Sequence, residues 1–189
     1  MDTNEVIEQI LADLRSTDRL KRRHASFWNF VRKGPKEIAV FTEAMRRIEC
    51  DVGESITSWS IPVPDPPDIV VTLGSEKIGI EITELVNPKA LRAQLHVPER
   101  YGIELIQYGA EEAKSRLKDI ISEKESKLVL VGDKYDRFIL LVHTDEPTLS
   151  SDQFRDWKVN LSSSVFCRAY LLFSYEPAYG ECPLVCIHG

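Results

Sequence analysis

The chain has 189 residues, 43% hydrophobic and 29% charged, with a formal net charge of −6 and a pI near 5.3. That length and apolar content suit one domain, 1–189, with a sizeable core, and argue against two independent ones. No apolar run approaches eighteen residues and the first residues are polar and acidic, which excludes a membrane-spanning helix or secretory signal and points to the cytoplasm.

Cys50, Cys167, Cys182 and Cys186 lack CxxC spacing and the four histidines are scattered, so reduced thiols are expected rather than a zinc site. The acidic balance is uneven along the chain. Residues 15–47 hold ten Lys or Arg against three acids, a local +7 that leaves −13 elsewhere. Local potential rather than total charge draws in a polyanion, so Arg19, Lys21, Arg22, Arg23, Arg32 and Lys33 are candidate nucleic-acid contacts. The bland alternative is a solvated helical face. Phe27, Trp28 and Phe30 within this run are better read as core than as base-stacking platforms.

In chain order, Val6, Ile7, Ile10, Leu11 and Leu14 recur at helical spacing, with Thr3 or Asn4 as cap. A second helix is predicted from about Thr17 to Arg32, ending before Gly34-Pro35. Residues 1–34 thus form a basic helical extension, and 35–189 the core. A third helix, Lys36 to Glu49, carries Ile38, Phe41, Met45 and Ile48 on one stripe. Ser55 to Val63 predicts a first strand, and Pro62, Pro64, Pro66 and Pro67 then force an extended approach along a sheet edge.

Two half-buried strands follow. Ile69, Val71 and Leu73 alternate with Asp68, Val70 and Thr72, and Ile78, Ile80 and Ile82 alternate with Gly79, Glu81 and Thr83. Gly74-Ser75 between them suits a two-residue type II′ turn. With Leu73 and Glu76 flanking it, Val71 meets Ile78, Ile69 meets Ile80 and Asp68 meets Glu81. The apolar residues then share one face and the two acids the other. Like charges so placed repel, and a divalent cation held by both would offset that. An exposed, solvated acid pair is the alternative.

Pro67-Asp68, a twelve-residue gap and then Glu81-Ile82-Thr83 resembles the PD-(D/E)XK, or restriction-endonuclease-like, nuclease superfamily. The resemblance implies that Asp68, Glu81 and the carbonyl of Ile82 bind Mg2+ or Mn2+, and that a Glu of the preceding helix joins them, Glu37 with Glu43 in reserve. For Glu37, an exposed acid at a helix start is the bland account. Thr83 stands where the family has lysine. Lys77, Lys89 and Lys114 are candidate substitutes, Lys77 the weakest because it lies near the turn. Otherwise the metal activates water alone, or catalysis has been lost.

Beyond Asn87-Pro88, the positions of Arg92, Gln94, His96 and Arg100 carry no readable role. A long helix is predicted over Ile103 to Leu128, its other face alternating Glu111, Lys114, Lys118, Glu123 and Lys124, a pattern expected on a stabilising surface. Arg137 to His143 is a near-continuous apolar run, the mark of a strand covered on both faces. Ala169 to Ser174 and Leu184 to Ile187 are placed alongside it, with Ser151-Asp152 capping a short helix through Trp157. Strand, helix, strand implies a right-handed crossover and a parallel pair. The expected fold is therefore α/β: a mixed sheet with an antiparallel hairpin core, flanked by helices. His143 is read as the end of a buried strand.

The expected function is metal-dependent cleavage of nucleic acid, DNA before RNA, with Asp68, Glu81, Thr83 and Glu37 in the site. A homodimer is the arrangement that cutting both strands of a duplex calls for. The alternative is a nuclease-like fold without catalysis, binding protein or nucleic acid in a defence or toxin-immunity setting.

Overall fold

The computed structural model describes residues 33–63, 66–89, 107–128, 134–159 and 165–189. The first two predicted helices, the basic residues Arg19, Lys21, Arg22, Arg23 and Arg32, the aromatic trio and Arg92 to Arg100 lie outside the described residues. Among the described residues, six strands form one mixed sheet in sequential order. They are β1 (Ile56–Ser60), β2 (Ile69–Leu73), β3 (Glu76–Glu84), β4 (Arg137–Thr144), β5 (Phe166–Phe173) and β6 (Leu184–His188). Helix α1 (Lys33–Val52) precedes them and α2 (Ala110–Leu128) lies between β3 and β4.

β1, β2 and β3 run antiparallel in turn, β3, β4 and β5 are parallel, and β6 returns antiparallel. The hairpin has the predicted register: Leu73 pairs with Glu76, Val71 with Ile78 and Ile69 with Ile80. Gly74 has φ of 60° while Ser75 stays at negative φ, the combination that a II′ turn demands and a I′ turn does not.

The period-two alternation sorts the side chains into two cores. Ile69, Val71, Ile78, Ile80 and Ile82 pack with Val40, Phe41, Ala44 and Ile48 of α1. Val70, Leu140 and Val142 pack with Ala113, Leu117, Ile120 and Ile121 of α2. β4 serves both clusters, because Ile139 and Leu141 point to α1 and their neighbours to α2. That double coverage is why its sequence is apolar without alternation.

Several boundaries differ from expectation, β1 ending at Ser60 and β5 beginning at Phe166 among them. α1 is described from Lys33 and takes in Gly34-Pro35, which the pattern placed ahead of it. α2 starts at Ala110, not Ile103. Just ahead of it Tyr108 is clamped to the loop after β4: its N–H donates to Thr148 Oγ1 at 3.2 Å and its carbonyl accepts from the same hydroxyl at 3.0 Å. The helix expected at Ser151 to Trp157 is one 3-10 turn, Ser151–Gln153. Its first residue is tied across to Glu176, with the Ser151 N–H at 2.8 Å and hydroxyl at 3.0 Å from that carboxylate. Among the described residues, no helix is long and apolar enough to cross a membrane.

Candidate active site

The parity that sends Ile80 and Ile82 toward α1 sends Glu81 toward α2, and Asp68 stands one residue ahead of β2 with the parity of Val70. Both carboxylates are buried, each 4% exposed. The β2–β3 ladder stops at Ile69 and Ile80. Beyond it, Asp68 Oδ2 accepts the Ile82 N–H at 2.7 Å, so a side chain takes the place of the next strand's carbonyl. A charge-assisted bond of this kind is shorter and stronger than a neutral one, and it fixes Asp68 against β3.

Glu81 Oε2 lies 2.6 Å from Lys124 Nζ, and the same ammonium is 3.5 Å from the Ile82 carbonyl. Lys124 comes from α2, with its side chain 19% exposed. The residue expected on a solvated face therefore reaches into the site. The signal was in the sequence: Leu117, Ile121, Lys124 and Leu128 follow one another at four, three and four, which puts Lys124 on the apolar stripe that packs on the sheet. A lysine on such a stripe must bring its charge to a partner, and Glu81 is that partner.

The three lysines named from sequence are engaged elsewhere. Lys77 lies over the Tyr135 ring near the hairpin turn, Lys89 pairs with Glu112 at 3.1 Å, and Lys114 pairs with Glu111 at 2.8 Å. Thr83 is partly buried on β3, two residues beyond Glu81 and on its face. Glu37 is 8% exposed on α1, the helix that covers the opposite face of the sheet. Glu43 is half-buried and lies 3.5 Å from Arg47. Lys33 opens α1. His143 is fully buried in β4, as expected of a strand residue.

Further acids crowd the ends of β3 and β4. Burial pushes the Glu84 carboxyl up to about 7, with Asp145 and Glu146 adding to the rise and Lys36 opposing it. Glu146 is itself buried and accepts the Asn87 N–H at 2.6 Å.

The donors near β3 are hard oxygens: the carboxylates of Asp68 and Glu81, and the Ile82 carbonyl. Mg2+ is ordinarily held by one or two carboxylates and keeps several waters, so this set fits such an ion. Among the described residues, no group of three His, Cys, Asp or Glu side chains is gathered for a metal. The fit therefore rests on two carboxylates and a backbone oxygen, with Glu37 not gathered to them. No family model, curated protein or solved structure matches the chain.

Proposed function

We propose that the chain is a metal-dependent phosphodiesterase acting on nucleic acid, DNA before RNA, of the PD-(D/E)XK kind. The observation that carries this reading is the Lys124 ammonium, 2.6 Å from Glu81 Oε2, at a motif whose own third position is Thr83. The motif's missing cation is supplied from the facing helix. Asp68, Glu81 and the Ile82 carbonyl would hold Mg2+ or Mn2+. Bound there, the ion lowers the pKa of a water and neutralises charge on the scissile phosphate.

The chain's own groups do the rest. Asp68 is held against β3 by the Ile82 N–H that it accepts. Lys124, spanning Glu81 and the Ile82 carbonyl, is placed to donate to a phosphate oxygen as negative charge builds on it. Thr83 offers a hydroxyl on the same face, for the water or the phosphate. Arg19, Lys21, Arg22, Arg23, Arg32 and Lys33 would grip the backbone, and a cytoplasmic homodimer would serve two-strand cleavage.

The test is incubation with plasmid and with single-stranded DNA in Mg2+ and in Mn2+, beside Asp68→Ala and Lys124→Met. Cutting by the wild type alone is expected; equal cutting by all three ends the proposal.

A second reading is supported by the same contacts. The Ile82 N–H and the Lys124 ammonium already compensate the two acids, so the pair is stable without an ion and suits a nuclease-like binding module that has lost catalysis. Calorimetric titration with Mn2+ separates the two. Heat that disappears in Glu81→Ala supports the enzyme, and none in the wild type supports the module.

A further inference from the structure

A pocket of about 320 Å³ opens at the opposite edge of the sheet, against the start of β6. Among the described residues three cations line it, Arg47 from α1 and Arg155 and Lys158 from the β4–β5 connection, with one acid, Glu181; Glu43 and Asp152, partners of Arg47 and Arg155, stand just outside the lining. Arg47 lies 2.7 Å from Glu181 Oε2. Arg155 donates to Asp152 at 2.7 Å and to the Tyr179 hydroxyl at 3.1 Å, its guanidinium 5.6 Å from the Tyr179 ring centre. Lys158 donates to a backbone carbonyl, that of Cys186, rather than to a carboxylate.

Such a lining suits an anion. The Glu181 side chain is 53% exposed, and an exposed ion pair is weakly held, so a phosphate displaces it from Arg47 at little cost. The guanidinium forks offer paired donors that match phosphate oxygens. Tyr179, 43% exposed, adds an aromatic face of the kind on which bases stack.

The pocket also lies on the rungs just past Glu81, whose own rung runs through Leu140 and Ala169 to His188. Ile82 aligns with Leu141, Tyr170 and Cys186, and Thr83 with Val142, Leu171 and Val185. In the plane of the sheet the separation is three strand spacings, about 14 Å, and because β4 and β5 between them are covered on both faces, a nucleic-acid strand reaching both sites passes over the ends of these β-strands.

We propose that this pocket binds a backbone phosphate of the nucleic-acid strand whose scissile bond lies at Asp68 and Glu81, an assignment that rests on the function proposed above. The test is fluorescence anisotropy of a labelled single-stranded DNA oligonucleotide in EDTA over a salt series, with inorganic phosphate tested separately for protection against thermal unfolding. Arg155→Ala/Lys158→Ala weakens oligonucleotide binding about tenfold and flattens the salt dependence by about one to two contacts. Glu181→Gln tightens it about threefold, a gain that misfolding cannot imitate.

Unchanged affinity and salt slope in the double variant overturns the proposal. So does protection by inorganic phosphate that needs Arg155 and Lys158 while the oligonucleotide binds that variant normally, for the pocket then serves a free anion. Cleavage is not read in these experiments. A catalytically silent wild type whose binding still depends on Arg155 and Lys158 sinks the nuclease and leaves a strand-binding pocket; a failed pocket leaves the acid pair untouched.

Discussion

Replacing Lys124 by Met keeps most of the side chain's length and its packing on the sheet but removes the ammonium from Glu81. The Glu81 side chain is 5% exposed and that of Lys124 19%. Breaking a buried ion pair by deleting one partner costs about 3–5 kcal/mol, because the remaining charge stays desolvated. Water has some access through Lys124, which puts the cost near the lower end, about 3 kcal/mol. For a chain of this size that is a fall in Tm of roughly 6–12 °C. Glu81→Gln in the same chain removes the stranded charge and recovers about 2 kcal/mol of the loss. Urea unfolding followed by circular dichroism on the two single variants and the double gives the coupling directly. If Lys124→Met unfolds within about 0.5 kcal/mol of the wild type, or the single effects simply add, the ion pair does not hold this site together. The proposed catalysis makes a parallel demand: Lys124→Met loses about a hundredfold or more in cutting rate.

Asp68→Ala strands the buried Ile82 N–H and costs about 1–3 kcal/mol, whereas Asp68→Asn keeps an acceptor oxygen and costs less. Both variants lose cleavage, and urea midpoints beside plasmid assays display the split. Gly79→Ala sets a Cβ 2.7 Å from the Phe138 ring and 3.0 Å from Pro67, next to Asp68. Overpacking there lowers stability by about 1–3 kcal/mol and displaces Asp68, so cutting falls with the urea midpoint. Glu84 holds its proton to about pH 7 in the folded chain but ionises near the usual 4.5 when unfolded, so stability drains away as pH rises between those values and levels off above about 7. Its partial exposure reduces the loss to about 1–2 kcal/mol. Glu84→Gln abolishes that drain: its Tm exceeds the wild type's at pH 8 and matches it at pH 4.5, and a gain equal at both pH values refutes the assignment.

Local pattern alone determined a great deal of this protein. The alternation around Gly74-Ser75 set strand type, turn type and register, because side-chain period and turn geometry admit one pairing that keeps Ile69, Val71, Ile78 and Ile80 on one face. The apolar run of β4 declared a strand covered on both sides, and the crossover after it a parallel neighbour, although the helix expected in that crossover is one 3-10 turn. β2 and β3 are built from adjacent sequence, and short-range rules suffice for that hairpin.

Long-range contacts were decided only by packing. Tyr108 left the helix pattern because Thr148, forty residues on, competes for its backbone groups. The role of Lys124 depended on which way α2 rotates over the sheet, a question settled by how Leu117, Ile120 and Ile121 fill the face of Val70, Leu140 and Val142. The charge alternation beside it favours solvent, and a buried carboxylate 43 residues earlier draws the ammonium inward. Arg47, Arg155 and Lys158 likewise meet only where the β4–β5 connection returns to β6, so no window of sequence holds that pocket. Periodicity fixes which side of an element is apolar, but the partner a charge finds there belongs to the assembled fold.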